Sequence, residues 1–171
     1  MKRFLLFTII AFVSLLGIGV YQYFHYHDGK LHVIFCDVGQ GDAILLKSPA
    51  SNYILVDGGP DMAVLSCLSR HMPFWEQKID LMLLTHPHAD HYTGLHFVIN
   101  RLNVLSFATE RLSNKTAGFM SLIELLKAKK IQQQYVSAGD HWQLSDGVEL
   151  LIAGPDETFL ERTDPDGIIT D

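Results

Sequence analysis

Leu81-Met82-Leu83-Leu84-Thr85-His86-Pro87-His88-Ala89-Asp90-His91 is the stretch on which the reading of this chain turns. The run Ile79–Thr85 is almost wholly apolar, which predicts a strand buried on both faces. At its end His86, His88, Asp90 and His91, four residues able to ligate a metal, fall within six positions. Side chains at i and i+2 of an extended segment point the same way, so His86 and His88 can grip one ion. Pro87 disfavours helix there and biases His86 towards extended backbone. Asp90 and His91 then stand where the chain turns into the next helix, within reach of a second ion. Imidazole with carboxylate suits zinc, with manganese or iron as alternatives. Fewer than four protein ligands per ion leaves room for water, whose pKa falls to about 7 on zinc. A lone His or Asp at this place would be a surface or structural residue. Four at this spacing are not explained by packing, because unpaired polar groups at a buried strand end are costly.

Outward from that strand, the chain reads as strands alternating with helices. Leu31–Asp37 and Asp42–Lys47 are predicted as a hairpin around the tight Val38-Gly39-Gln40-Gly41 turn, followed by a third strand at Tyr53–Val56. Pro60 suits the first turn of a helix ending near Met72, and residues 92–101 make another. Val104–Thr109 is predicted as a strand, and Thr116–Lys130 as a helix with Phe119, Met120, Ile123 and Leu126 on one side. Gln134–Ser137, His141–Leu144 and Val148–Ala153 are the last strands, with Asp146-Gly147 turning the final pair. The expected class is an α/β layered domain.

The N-terminus carries a different signal. Lys2 and Arg3 precede an apolar stretch from Phe4 to about Tyr21, close to the ~20 helical residues that a bilayer core requires. Tyr21, Tyr23, Phe24 and Tyr26 form an aromatic belt at its exit, and the positive residues before it place the remainder of the chain outside the cytoplasm. Residues 1–24 are therefore expected to be a membrane anchor, with a cleaved signal peptide as the rival reading. Residues 25–30 are a polar linker, and residues 31–171 the working domain. Formal charge is −6 over 171 residues, and residues 31–171 hold ten basic against eighteen acidic side chains. That excludes a protein that coats nucleic acid by charge, which needs clustered Lys and Arg. Two cysteines, Cys36 and Cys67, exclude a disulfide scaffold and an all-cysteine zinc site; they are expected to pack as small hydrophobes, pairing being open in an oxidising compartment.

His-x-His-x-Asp-His after an apolar strand resembles the signature of the metallo-β-lactamase fold, an αββα sandwich of zinc hydrolases. Asp37-Val38-Gly39-Gln40-Gly41-Asp42-Ala43, Leu55-Val56-Asp57-Gly58-Gly59 and Leu84–His91 together resemble the hydrolase domain of ComEC-type proteins of bacterial DNA uptake. The similarity runs from about Leu31 to Pro155. It implies that His86 and His88 hold a first zinc, and Asp90 and His91 a second. It also implies that Asp90 serves the attacking water and that Asp57 orients the metal loop through hydrogen bonds. Gln40 and Asp42 are expected near the site mouth, as candidates for substrate binding. The implied reaction is phosphodiester hydrolysis of DNA, with a DNA-uptake channel as partner; the N-terminal segment read above makes this an extracytoplasmic, single-pass enzyme, where ComEC-type proteins carry a multi-span channel domain.

The family takes further ligands from its second half, in a Leu-Thr-Gly-Asp-type segment and a His-His-Gly-Ser segment, and neither is present in these 171 residues. The expectation is therefore a sandwich represented mainly by its first half, with an apolar sheet face and an unpaired edge. His141, His96, His32 and His71 are read as structural or surface residues, and Asp164 with Asp166 as an exposed turn. Two other functions stand beside the nuclease: a zinc hydrolase of a β-lactam, lactone or thioester, and a non-catalytic, truncated metal-binding module on a membrane tether.

Overall fold

The structure is a computed structural model describing residues 2–111 and 115–154. Its first element, α1 (Lys2–Tyr26), is a 25-residue helix. Residues Arg3–Tyr26 have a mean hydropathy of 2.4 and none of that window is buried, so the helix is long and apolar enough to cross a membrane.

Six strands form one mixed sheet in the order β1 (His32–Phe35), β2 (Ile44–Lys47), β3 (Tyr53–Val56), β4 (Lys78–Leu84), β5 (Asn103–Thr109), β6 (Gln132–Tyr135). The first three are antiparallel, joined by short loops. From β3 to β6 the pairing is parallel. Each parallel step needs a crossover, supplied in turn by α2 (Ala63–His71), α3 (Ala89–Arg101) and α4 (Ala117–Ala128). Val64 and Leu68 of α2, Leu95 and Val98 of α3, and Leu122 and Leu126 of α4 pack on Leu45, Leu55, Met82, Leu84 and Phe107 of the sheet. That is the main core, and it explains why β4 reads as continuous apolar sequence. The opposite face buries Ile54, Leu81, Ala108 and Val136 beneath Trp142, Leu144, Leu150 and Ile152. Those four belong to the antiparallel hairpin of β7 (His141–Gln143) and β8 (Glu149–Leu151) and its flanks. Towards β1 this face stays open, with Phe35 76% exposed.

The expected α/β class is observed, with shifts at the element ends. Residues 36–43 form a longer connection than the tight turn expected, because Cys36 N–H bonds the Ala43 carbonyl and β2 begins only at Ile44. Helix α2 starts at Ala63, not at Pro60, where the Asp61 carboxylate accepts the Ala63 N–H. Helix α3 starts three residues earlier than expected, so Asp90 and His91 lie inside its first turn. Strand β6 runs Gln132–Tyr135, two residues before the expected span, since Ala108 pairs with Gln134. The cysteines correct their reading outright: Cys36 and Cys67 form a disulfide joining the end of β1 to α2. The Asp164/Asp166 turn lies outside the described residues.

Candidate metal centre

The site is assembled at the carboxyl end of β4, the edge where parallel α/β sheets present their ligand crevice. Leu84, 1% exposed, is the last strand residue, and the chain leaves the core through Thr85, His86, Pro87 and His88. His88 keeps extended backbone (φ −86°, ψ 148°) as the residue before α3, and its carbonyl accepts the N–H groups of His91 and Tyr92. Asp90 falls in the first helical turn, where the positive end of the peptide dipoles favours a carboxylate.

Asp57, directly after β3, organises this loop. It is 2% exposed and stands at φ 58°, in the left-handed region that few non-glycine residues occupy. Its N–H bonds the Leu83 carbonyl. Its carboxylate accepts the Thr85 N–H at 2.8 Å, the Thr85 hydroxyl at 2.7 Å and His91 Nδ1 at 2.8 Å. The single Thr85 hydroxyl hydrogen is thereby committed to Asp57. The 3.0 Å contact between Thr85 Oγ1 and His86 Nδ1 then requires His86 to donate. Both His86 and His91 are thus protonated on Nδ1, leaving Nε2 as the lone-pair nitrogen of each. Thr85 stands inside the Leu84–His91 motif, but nothing in the sequence assigned it a role, which comes from its bonds to Asp57.

The rings are close. His86 lies 4.6 Å from His88 and 4.0 Å from His91, centroid to centroid, and Asp90 Oδ1 lies 4.0 Å from His91 Nε2. Burial, with the neighbouring His91 and His88, lowers the pKa of His86 against the pull of Asp57 and Asp90. That keeps His86 neutral, the form that ligates metal. In kind these donors fit a divalent ion such as zinc. In arrangement, no group of three or more His, Cys, Asp or Glu among the described residues is set to hold one, and the imidazoles contact each other in pairs instead.

The Gly39–Asp42 loop reaches the same place. Gly41 backbone lies so close to Asp90 that a Cβ there would strike the Asp90 carbonyl, and the Asp42 carbonyl accepts the Gly59 N–H. Gln40 and Asp42 are exposed at this rim. His141 is exposed at the start of β7, and His96 packs near Tyr92, so neither joins the cluster.

Residues 52–156, more than half of the chain, match the family described as the beta-lactamase superfamily domain. Among solved structures, a diphosphatase from the PhnP family matches with 17% identity and a TM-score of 0.46, over 67% of this chain and 52% of that one. The metallo-beta-lactamase SMB-1 matches with 21% identity and a TM-score of 0.47, over 68% and 47%. MEM-A1, a subclass B3 metallo-beta-lactamase from a soil metagenome library, matches with 17% identity and a TM-score of 0.44, over 68% and 47%. The chain therefore spans about half the length of these structures. No protein of curated function matches it significantly in sequence.

Proposed function

Because this chain belongs to the beta-lactamase superfamily, we propose that it is a metal-dependent hydrolase of phosphodiesters, acting on DNA at a membrane surface. The observation that carries the reading is the Asp57 relay, which fixes the Nδ1 protons of His86 and His91 and turns their Nε2 atoms into ligand nitrogens. His86, His88, Asp90 and His91 would hold one or two ions, zinc first and manganese or iron as alternatives. When held there, a divalent ion supplies Lewis acidity and water acidic enough to attack near neutral pH. Gathering the donors takes a movement of the partly exposed His86, His88 and Asp90 side chains, while buried His91 stays fixed by Asp57. Asp90, partly exposed at the helix start, orients the attacking water and accepts its proton. Gln40 and Asp42 border the substrate at the rim.

Phosphodiester is preferred as substrate on the Gly39–Asp42 loop and its resemblance to ComEC-type hydrolase domains, which makes a DNA-uptake channel the natural partner. An anchored, extracytoplasmic placement is supported by α1, by Lys2 and Arg3 at its start, and by a disulfide of the sort that persists in oxidising compartments. The pairwise packing of the imidazoles favours a second reading, a tethered metal-binding module without turnover.

The test uses the full chain in lipid nanodiscs, loaded with zinc or manganese. We expect at least one ion per chain and hydrolysis of bis(p-nitrophenyl) phosphate and DNA. Bound metal without hydrolysis of either, or of nitrocefin, selects the module; nitrocefin turnover alone selects a β-lactam-type substrate.

A further inference from the structure

One strand over from the histidines, the sheet edge carries a carboxyl that the hydrolase reading does not use. Leu84 pairs with Thr109, so Thr85 and Glu110 leave the sheet side by side on parallel strands, about 5 Å apart by ordinary strand spacing. Glu110 is 6% exposed. It lines a cavity of about 290 Å³ between β5, β6 and α4. Burial alone pushes its pKa up to about 7.

The other walls define what would fill this space. Phe119 and Met120 of α4 give an apolar wall, and the Phe119 ring meets Tyr92, the residue after His91, edge-on at 5.9 Å. Across the cavity Tyr135 gives a second ring, with the Arg111 guanidinium 5.8 Å from its centroid. Thr109, Gln133 and Gln134 supply the remaining hydrogen-bonding groups, and Lys127 is the one cation on the lining among the described residues. The volume suits one ring system, at the lower end of small-molecule sites. A buried carboxylate only accepts hydrogen bonds, so its natural guest offers N–H donors on the edge of a flat apolar body.

We infer that this cavity is a nucleobase pocket, in which Glu110 accepts the amino and imino hydrogens of a base splayed out of a single strand beside the metal centre. The assignment deepens the DNA reading of that centre and rests on it. Guanine is the best guest, because its N1–H and 2-amino group lie side by side and match both carboxylate oxygens. Uracil is the worst, since its one N3–H sits between carbonyl oxygens that would face the carboxylate.

The experiment is equilibrium binding of guanosine, cytidine and uridine to the full chain in nanodiscs, in EDTA, at pH 8. We expect guanosine to bind at least about tenfold more tightly than uridine, the discrimination of one good bidentate contact. Glu110→Gln should abolish that preference while melting no lower than the wild type, which separates loss of the contact from loss of the fold. Absence of guanosine binding overturns the pocket, as does equal binding of the three nucleosides that Glu110→Gln leaves untouched. DNA hydrolysis is assayed separately with metal restored. Cleavage without guanosine binding sinks the pocket and spares the hydrolase; guanosine binding without cleavage does the reverse.

Discussion

Asp57 occupies a left-handed backbone conformation at φ 58° with three donors converging on its carboxylate. Such a conformation costs on the order of 1–3 kcal/mol and persists only where its surroundings over-determine it. Asn tolerates the same backbone, so Asp57→Asn keeps the turn and removes the charge. The carboxylate takes the Thr85 N–H on one oxygen and the Thr85 hydroxyl and His91 Nδ1 on the other, so an amide, with a single acceptor oxygen, must turn its NH2 towards one of these donor sets. Zinc affinity, read by competition with a chromophoric chelator, should fall about 10–100-fold; an unchanged affinity would separate Asp57 from the metal centre. Glu110 makes the opposite bargain. Its carboxyl, raised from 4.5 to about 7, holds its proton more tightly folded than unfolded. Stability is therefore lost as pH rises from about 4.5 through 7. Of the described groups lining its cavity only Lys127 is cationic, the other polar ones being Thr109, Gln133, Gln134 and Tyr135. Glu110→Gln should melt above the wild type at pH 8, by up to about 3 kcal/mol of stability, and converge with it near pH 4. Parallel melting curves at both pH values would show that the carboxyl is not buried.

At the scale of elements, the site depends on how closely the β3 loop and α3 approach. Gly58 N–H bonds the His91 carbonyl, Gly94 N–H bonds the Gly59 carbonyl, and a Cβ on Gly94 would overlap the Gly58 carbonyl. Gly94→Ala must push α3 away from Asp57. We expect a loss of about 1–3 kcal/mol and weaker zinc binding in the protein that still folds; a wild-type melting curve would mean that the helix shifts freely. This packing marks where the sequence could be read and where it could not. Strand β4 and the gathering of His86, His88 and His91 beyond it were legible because apolar continuity and i, i+2 spacing are local properties. The start of α3 at Ala89 was not, since the carbonyl of His88, still extended behind Pro87, takes the first helical N–H groups. The role of Thr85, the burial of Glu110 and the pairing of Cys36 with Cys67, which the sequence left open, were undecided for a shared reason. Each acquires its role from a partner, or from a parallel neighbour, more than twenty residues away, a proximity that only folding creates.

For the whole molecule, the membrane placement proposed for α1 raises the question of how the folded domain would sit against a bilayer. The bridge between Cys36 and Cys67 closes a separation of 31 residues and fastens the first strand, with the adjoining Gly39–Asp42 loop, to α2. Chain-entropy arguments give such a link about 3–4 kcal/mol, so a reductant should lower the melting temperature and loosen the loop against Asp90. Beyond that bridge, α2 ends in Arg70 and His71, and the next turn exposes Phe74 by 78% and Trp75 by 43%. Trp75 meets Tyr26, the last residue of α1, edge-on at 5.9 Å. Aromatic rings with a polar tip favour the headgroup zone. This corner should therefore rest in the lipid interface beside the span, with the basic helix end towards anionic headgroups. Trp142 is the other tryptophan, so a Trp142→Phe background leaves Trp75 as the sole reporter. In nanodiscs with brominated lipids its emission should be quenched by bromines near the headgroup and shielded from iodide. Free quenching by iodide with no effect of bromine would lift the corner off the bilayer and leave α1 as the single point of attachment.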